Sequence, residues 1–225
     1  MGTSSERTRE RRELKAARRG DRDGSGPTLD EHPPARFPGA TAKFGLLGEV
    51  LMAGLLVTLV AIPVVTLPVA LAAGIRHLRR FVRAEGSPLS QFWTDVRRGL
   101  AGGAAVGLAT ALLVGLFALD IDLAASGALP GGAVVAIVGW AGLVVTAVAL
   151  LTAAGAWTPE TGWRHALHAV PGLVARDVPG AIYLAATAAF VVIVTWVLAP
   201  LVIPALGCAA LAVVAVPERP RRAGA

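Results

Sequence analysis

The side chains able to do chemistry are few and scattered. Glu49 is the acidic residue that lies inside an apolar stretch, about one and a half helical turns from its start. A carboxylate there can belong to an ion or proton path, or it can pair with a basic group at the same depth. Arg76 and Arg79 are the expected partners. Asp120 and Asp122 close another apolar run, where they are expected to be solvated; a cation site is the alternative. His165 and His168 stand three apart, on one face of a helix. They have no neighbouring Asp, Glu or Cys and no HExxH spacing, so a metal site is not expected. Cys208 is the single cysteine, which excludes an intrachain disulfide and a CxxC knuckle. There is no Walker A or GxSxG sequence, and no nucleophile stands beside a base and an orienting group. The chain is expected to be no enzyme and to hold no cofactor.

The elements that would position these residues are set by hydropathy. Of 225 residues, 55% are hydrophobic and 16% charged, where soluble domains carry about a quarter charged residues. Ten of the 21 Lys and Arg residues precede Phe44, and the others fall in short clusters separated by runs of about 20 residues without a basic side chain. Such runs cross a hydrocarbon core of about 30 Å. The net charge of +6 would suit nucleic acid, but basic residues that punctuate apolar spans suit anionic lipid headgroups, so no nucleic-acid partner is expected. Arg far outnumbers Lys, and Ala, Val and Gly abound, a composition associated with GC-rich bacteria.

Residues 1–43 read as a disordered, basic cytoplasmic arm. Glu6 to Arg22 alternates acid and base, and Asp23-Gly24-Ser25-Gly26-Pro27 and Pro33-Pro34 break regular structure. No short apolar core with a small-residue cleavage site makes it a signal peptide. Residues 44–217 form an all-α polytopic transmembrane bundle, and 218–225 a cytoplasmic tail. The first apolar stretch, Phe44 to Ile62, turns at Pro63-Val-Val-Thr66-Leu-Pro68 and returns to the cluster Arg76, Arg79, Arg80 and Arg83. Retained loops are rich in Lys and Arg, so both flanks belong inside. Gly99–Leu119 leads out to the Asp120–Asp122 loop. Gly131–Ala154 returns to Arg164 and Arg176, Pro179–Leu198 goes out, and Leu201–Val216 comes back to Arg219. The result is about six membrane segments as three hairpins, with both termini cytoplasmic. Val64–Leu78 and Leu201–Val216 are only about 22–24 Å long as helices, so four or five full spans are the alternative. Phe81, Phe92, Trp93, Trp157 and Trp163 are expected at the inner interface and Trp196 near the outer one.

Gly99, Gly103, Gly107 and Gly115 recur on one helical face and make a groove for close helix packing, within the bundle or, as the alternative, in a homo-oligomer. Pro63, Thr66 and Pro68 in the first hairpin, and Pro200 and Pro204 in the third, mark two proline turns followed by short arms, a pattern found at transporter binding sites. Thr94-Asp95-Val96 and Arg176-Asp177-Val178 faintly echo one another ahead of two outgoing helices.

The stretch from Ile62 to Leu100 resembles the YesL-like family of bacterial membrane proteins. The resemblance lies in Pro63-Val-Val-Thr66-Leu, Ala70 to Ala73, the basic helix end, and Phe92-Trp93 with Asp95 and Arg97-Arg98. Pro171-Gly-Leu-Val-Ala-Arg176-Asp-Val-Pro179 is similar to the family's second cytoplasmic loop. The resemblance implies a multi-spanning protein of the bacterial plasma membrane, of unknown activity, often found beside sugar-uptake transporters of the ATP-binding-cassette type, and no catalytic residues. A loop with Phe92, Trp93, Asp95, Arg97 and Arg98 is then the expected docking surface for permease subunits, with lipid anchoring as the other reading. The expected function is that of a non-enzymatic accessory partner of carbohydrate uptake; the alternative is a small independent transporter or channel.

Overall fold

The computed structural model describes residues 43–127 and 131–218. The expected arm, apart from the start of the first helix, and the tail beyond residue 218 lie outside them. Among the described residues every regular element is helical: α1 (Lys43–Ala61), α2 (Leu67–Val82), α3 (Leu89–Ala125), α4 (Gly132–Ala156), α5 (Gly162–Arg176), α6 (Val178–Val197) and α7 (Val202–Ala215), with 3-10 turns at Ala199–Leu201 and Val216–Glu218. Five of them, α1, α3, α4, α6 and α7 with its flanking turns, are long and apolar enough to cross a membrane. Apolar helices with exposed Leu, Val and Ile along their outer faces fit contact with a bilayer. The chain is an all-α, multi-pass helical bundle.

α2 falls short of a span at 16 residues, yet it is the centre of the molecule. Pro68 through Ile75 are buried without interruption, followed by His77 and Leu78, and α2 packs on α1, α3, α4 and α7. Its sequence explains this. Val69-Ala-Leu-Ala-Ala-Gly74 is small and apolar on every face, so neighbours can close in from all sides, as an all-round apolar helix requires. Its three arginines all lie in the last two turns, so continuous burial stops where charge begins.

Backbone approach at glycine holds the neighbours near. α1 and α7 run antiparallel and cross at Gly54 and Gly207: a Cβ on Gly54 would collide with the Ile203 carbonyl, and one on Gly207 with the Val50 carbonyl. The turn between α1 and α2 seats its Val65 carbonyl against Gly107 of α3. Pro63 has no N–H to continue α1, and the Thr66 hydroxyl donates to the Val60 carbonyl that the helix end leaves open. Val64 adopts φ of 55°, a left-handed conformation that a β-branched side chain enters only under packing constraint.

α3 differs from its expected bounds. It is one helix of 37 residues, about 55 Å long, rather than a span opening at Gly99 after a loop. Its first ten residues contain Phe92 through Arg98, and its last turns contain Asp120 and Asp122, which therefore stand on a helix. α4 closes onto this second half of α3 through its own glycines. A Cβ on Gly139 would lie 2.7 Å from Ile121 Cγ1, and one on Gly142 would meet the Phe117 ring.

The glycines of α3 separate cleanly by function. Nothing lies within 4 Å of a Cβ on Gly115, whereas the Val65 backbone fills the space at Gly107. Gly107→Leu is expected to destabilise the bundle by about 2–3 kcal/mol through overpacking, and Gly115→Leu by less than about 0.5 kcal/mol. Thermal unfolding of the two variants in one detergent gives the comparison; equal melting temperatures would remove the turn-on-glycine contact from the account.

Candidate functional site

The ion-paired side chains of the helices gather at one end of the bundle, where α2 ends and α3 begins. Asp95, 5% exposed, accepts from two arginines of α2 through one oxygen: Arg76 Nε at 3.2 Å, and both terminal nitrogens of Arg80 at 3.0 Å. Arg76 and Arg80 are four apart and so share a face of α2, which meets α3 at this carboxylate. Burying any one of the three alone would be prohibitive, but together they neutralise and hydrogen-bond one another.

A second chain of contacts starts from Arg76. Its guanidinium lies over the Trp157 ring, 5.9 Å from the centroid, a cation–π contact worth about 1 kcal/mol. Trp157 stacks on Trp163 at 5.7 Å and 27°. Trp163 Nε1 donates to the Gly99 carbonyl of α3 at 3.0 Å. Gly99 lies one turn beyond Asp95, so the contacts close into a ring running α3, α2, the end of α4, α5 and back to α3. Gly99, Gly102 and Gly103 make room for it: added Cβ atoms would stand 3.1 Å from Trp157, 2.9 Å from Trp163 and 2.9 Å from Trp163 Nε1. The small-residue face of α3 thus receives two indoles and the Val65 backbone inside the molecule, while Gly115 remains open.

The short link between the two tryptophans is itself fixed. The Thr158 carbonyl accepts from Gly162 N at 2.9 Å, the Thr158 and Thr161 hydroxyls bond at 2.9 Å, and Gly162 takes φ of 73°. Glu160, exposed in this link, has its carboxyl held below its ordinary pKa, first by a hydrogen bond from its own backbone N–H and then by the Thr158 hydroxyl.

Glu49 does pair within the bundle, but with His77 instead of Arg76 or Arg79. The contact runs between Glu49 Oε1 and His77 Nε2 at 2.5 Å, and Ser87 Oγ reaches the same oxygen at 3.4 Å. His77 is 1% exposed and stands edge-on to Phe92 at 6.3 Å; its Nδ1 has no hydrogen-bond partner. Arg76 is already committed to Asp95, and Arg79 points the other way, donating to the Gly155 carbonyl of α4 at 3.2 Å. In the sequence His77 stands as one of a basic run, Arg76 to Arg83. The available signal was its position four after Ala73 and seven after Ala70, on a face made of small residues.

The expected docking residues divide accordingly. They stand on a helix, not a loop; Phe92 and Asp95 face inward, while Trp93, Arg97 and Arg98 are exposed. Phe92, Trp157 and Trp163 are core residues, not interfacial anchors. Trp93 is 39% and Trp196 90% exposed. His165 and His168 are exposed on α5, with Arg164 beside them, and among the described residues no three His, Cys, Asp or Glu groups gather as a metal site would need. Asp177, the counterpart of Asp95 in the sequence echo, does different work: it caps α6 by accepting from Gly180 N at 3.0 Å.

The two proline turns do border one feature, an open groove of about 560 Å³ at the opposite end of the bundle. Val64 and Leu67 line it from the first turn and Val202 and Leu206 from the second. Its walls are apolar apart from Thr58, which bonds the Gly54 carbonyl, and Thr195, whose hydroxyl has no partner. Pro63 and Pro200 are exposed, Pro68 is buried, Thr66 and Pro204 are half-buried, and none of the five lines the groove.

These features define a multi-pass helical membrane protein with one ion-paired, tryptophan-braced end. No family model, curated protein or solved structure matches the chain.

Breaking the ring should be measurable in steps. Asp95→Asn is expected to destabilise by about 3 kcal/mol or more, because Arg76 and Arg80 keep their charge without a partner. Trp163→Phe preserves the stack but removes the bond to Gly99, an expected loss of about 1 kcal/mol. Melting of both variants in detergent tests the order; Trp163→Phe as damaging as Asp95→Asn would show that the indole, not the carboxylate, is the keystone.

Proposed function

We propose that this chain is a non-enzymatic accessory partner of a carbohydrate-uptake system of the ATP-binding-cassette type in the bacterial plasma membrane, with its charged end and both termini in the cytoplasm. The observation that carries the reading is the division of labour at that end. The buried polar groups are engaged in holding helices together: Asp95 with Arg76 and Arg80, Glu49 with His77, and Arg79 with the Gly155 carbonyl. What faces outward is basic and aromatic: Trp93, Arg97 and Arg98 on α3, and Arg164, His165 and His168 on α5. The bond from Trp163 to Gly99 ties these two helices together. An exposed tryptophan beside two arginines on a rigid helix suits the cytoplasmic face of a partner subunit. The orientation follows from the excess of arginine at this end, and the sugar-uptake partner follows from the resemblance carried by residues 62–100.

A small independent transporter is the second reading. It draws on the groove between the two proline turns and on the unpartnered Thr195 hydroxyl there. The apolar walls of that groove favour lipid over a polar solute.

Co-purification of the tagged chain from native membranes in a mild detergent discriminates the readings. The expected outcome is near-stoichiometric recovery of permease subunits, lowered about tenfold by Trp93→Ala with Arg97→Glu, a loss of about 1.4 kcal/mol in binding, with no change in melting temperature. Recovery of the chain alone after crosslinking, together with solute flux in liposomes that Thr195→Val abolishes, would replace the accessory reading by the transporter one.

A further inference from the structure

At the charged end a second cavity, of about 440 Å³, opens between the end of α4, the end of α5, the start of α6 and the end of α7. Two arginines line it, Arg79 from α2 and Arg176 from the last turn of α5, above apolar side chains that include Leu173, Leu184 and Val213. We propose that this cleft binds one anionic phospholipid, its phosphate on Arg79 and Arg176 and its acyl chain along Leu173, Leu184 and Val213.

The charge inventory of α2 singles out Arg79. Asp95 takes Arg76 and Arg80, and Glu85 stands 3.9 Å from Arg83. Among the described residues Arg79 makes no ion pair, and its hydrogen bond is a single one, from one Nη to the Gly155 carbonyl. A guanidinium has five N–H donors in a planar fork suited to phosphate, so Arg79 retains donors directed at the cavity it lines. Two carboxylates stand near. Asp177 lines the cleft but is engaged at the N-terminus of α6, where it accepts from Gly180 N and the helix dipole offsets its charge. Glu218 flanks a smaller adjoining crevice shared by Arg79 and Arg83. Of the charged side chains that line the cleft itself, two are guanidinium groups, Arg79 and Arg176, and one is a carboxylate, the helix-capping Asp177.

The rest of the cleft argues for a lipid over a free anion. A site for inorganic phosphate is small and polar throughout, whereas here two cations stand at the edge of an apolar hollow large enough for part of an acyl chain. Basic pockets between membrane helices take anionic headgroups by this combination. The inference needs only that the charged end lies at a membrane surface, and does not depend on the accessory role.

Native mass spectrometry of the detergent-purified full chain, titrated with phosphatidylglycerol or with phosphatidylcholine of the same acyl chains, tests the site. One phosphatidylglycerol is expected to be retained about tenfold more tightly than phosphatidylcholine, as one charge-assisted contact provides, with millimolar inorganic phosphate failing to displace it. Arg176→Gln, which removes an exposed guanidinium, and Ala181→Leu, which fills the cleft while leaving both arginines, should each lower retention about fivefold to tenfold. Both leave the Arg79–Gly155 bond intact, so folding is not at risk as it is for Arg79→Gln. Equal retention of the two lipids, or retention unchanged in both variants, would overturn the site. Displacement by inorganic phosphate alone would overturn the lipid in favour of a free anion.

Discussion

Asp95 sits between two guanidinium groups at the margin of an apolar bundle, and each of the three is tolerated there only because the others are. That mutual dependence fixes more than a pair of side chains. Arg76 and Arg80 are one turn apart on α2 and Asp95 is on α3, so the contact sets the azimuth of both helices and the height of one against the other. Once that register is set, Gly107 stands about 18 Å along α3 from Asp95, and the turn above α2 falls on it. The 16 residues of α2 bridge these two fixed points. A short helix can therefore lie at the centre of a membrane bundle, because its length is matched to the distance between an ion pair and a glycine.

The glycines acquire meaning only against this register. A run at four-residue spacing on α3 predicts close approach but not what approaches. Two indoles occupy the lower part and a backbone carbonyl the middle, while the upper part at Gly115 meets nothing. The closest backbone-to-backbone helix crossing, α1 with α7, involves glycines with no periodic signature, Gly54 and Gly207, because a crossing needs one small residue on each helix at the point of contact and none elsewhere. Periodicity reports a long parallel groove; isolated close approaches leave no pattern along the chain.

What could be read from the sequence follows the same physics. Segment order and helix limits were legible because charge and apolarity are written along the chain: α4, α6 and α7 begin and end within two or so residues of the expected bounds. The centrality of α2 was hidden because short length suggests an incomplete span, although the all-round small apolar surface from Val69 to Gly74 points to burial. Aromatic residues near span ends suit interfacial anchoring; Trp93 and Trp196 are exposed, while Phe92, Trp157 and Trp163 are buried in the core. The rule cannot separate them, since an amphipathic ring suits a membrane surface and a polar helix junction equally well. The Glu49–His77 contact is hidden for a related reason: spacing along the chain sets Glu49 level with several basic groups, but azimuth decides which of them faces α1.

The ring of contacts through Asp95, Arg76, Trp157, Trp163 and Gly99 also constrains what this end of the molecule can do. A transport path needs polar groups that can change partners as the path opens and closes. Here the carboxylate holds two cations, the stacked indoles fill the space beside them, and the hydrogen bond from Trp163 returns to the same helix that carries Asp95. Moving any member disturbs four helices at once, so the arrangement resists small displacements. A rigid end with exposed arginine and tryptophan on its outer side is well suited to presenting a surface. Its stiffness also keeps Arg79, on the same helix end as Arg76 and Arg80, turned away from Asp95 and toward α4, where its one hydrogen bond is to a backbone carbonyl. The ion pair that organises the bundle therefore leaves a second, separate positive group directed at the cleft beside it.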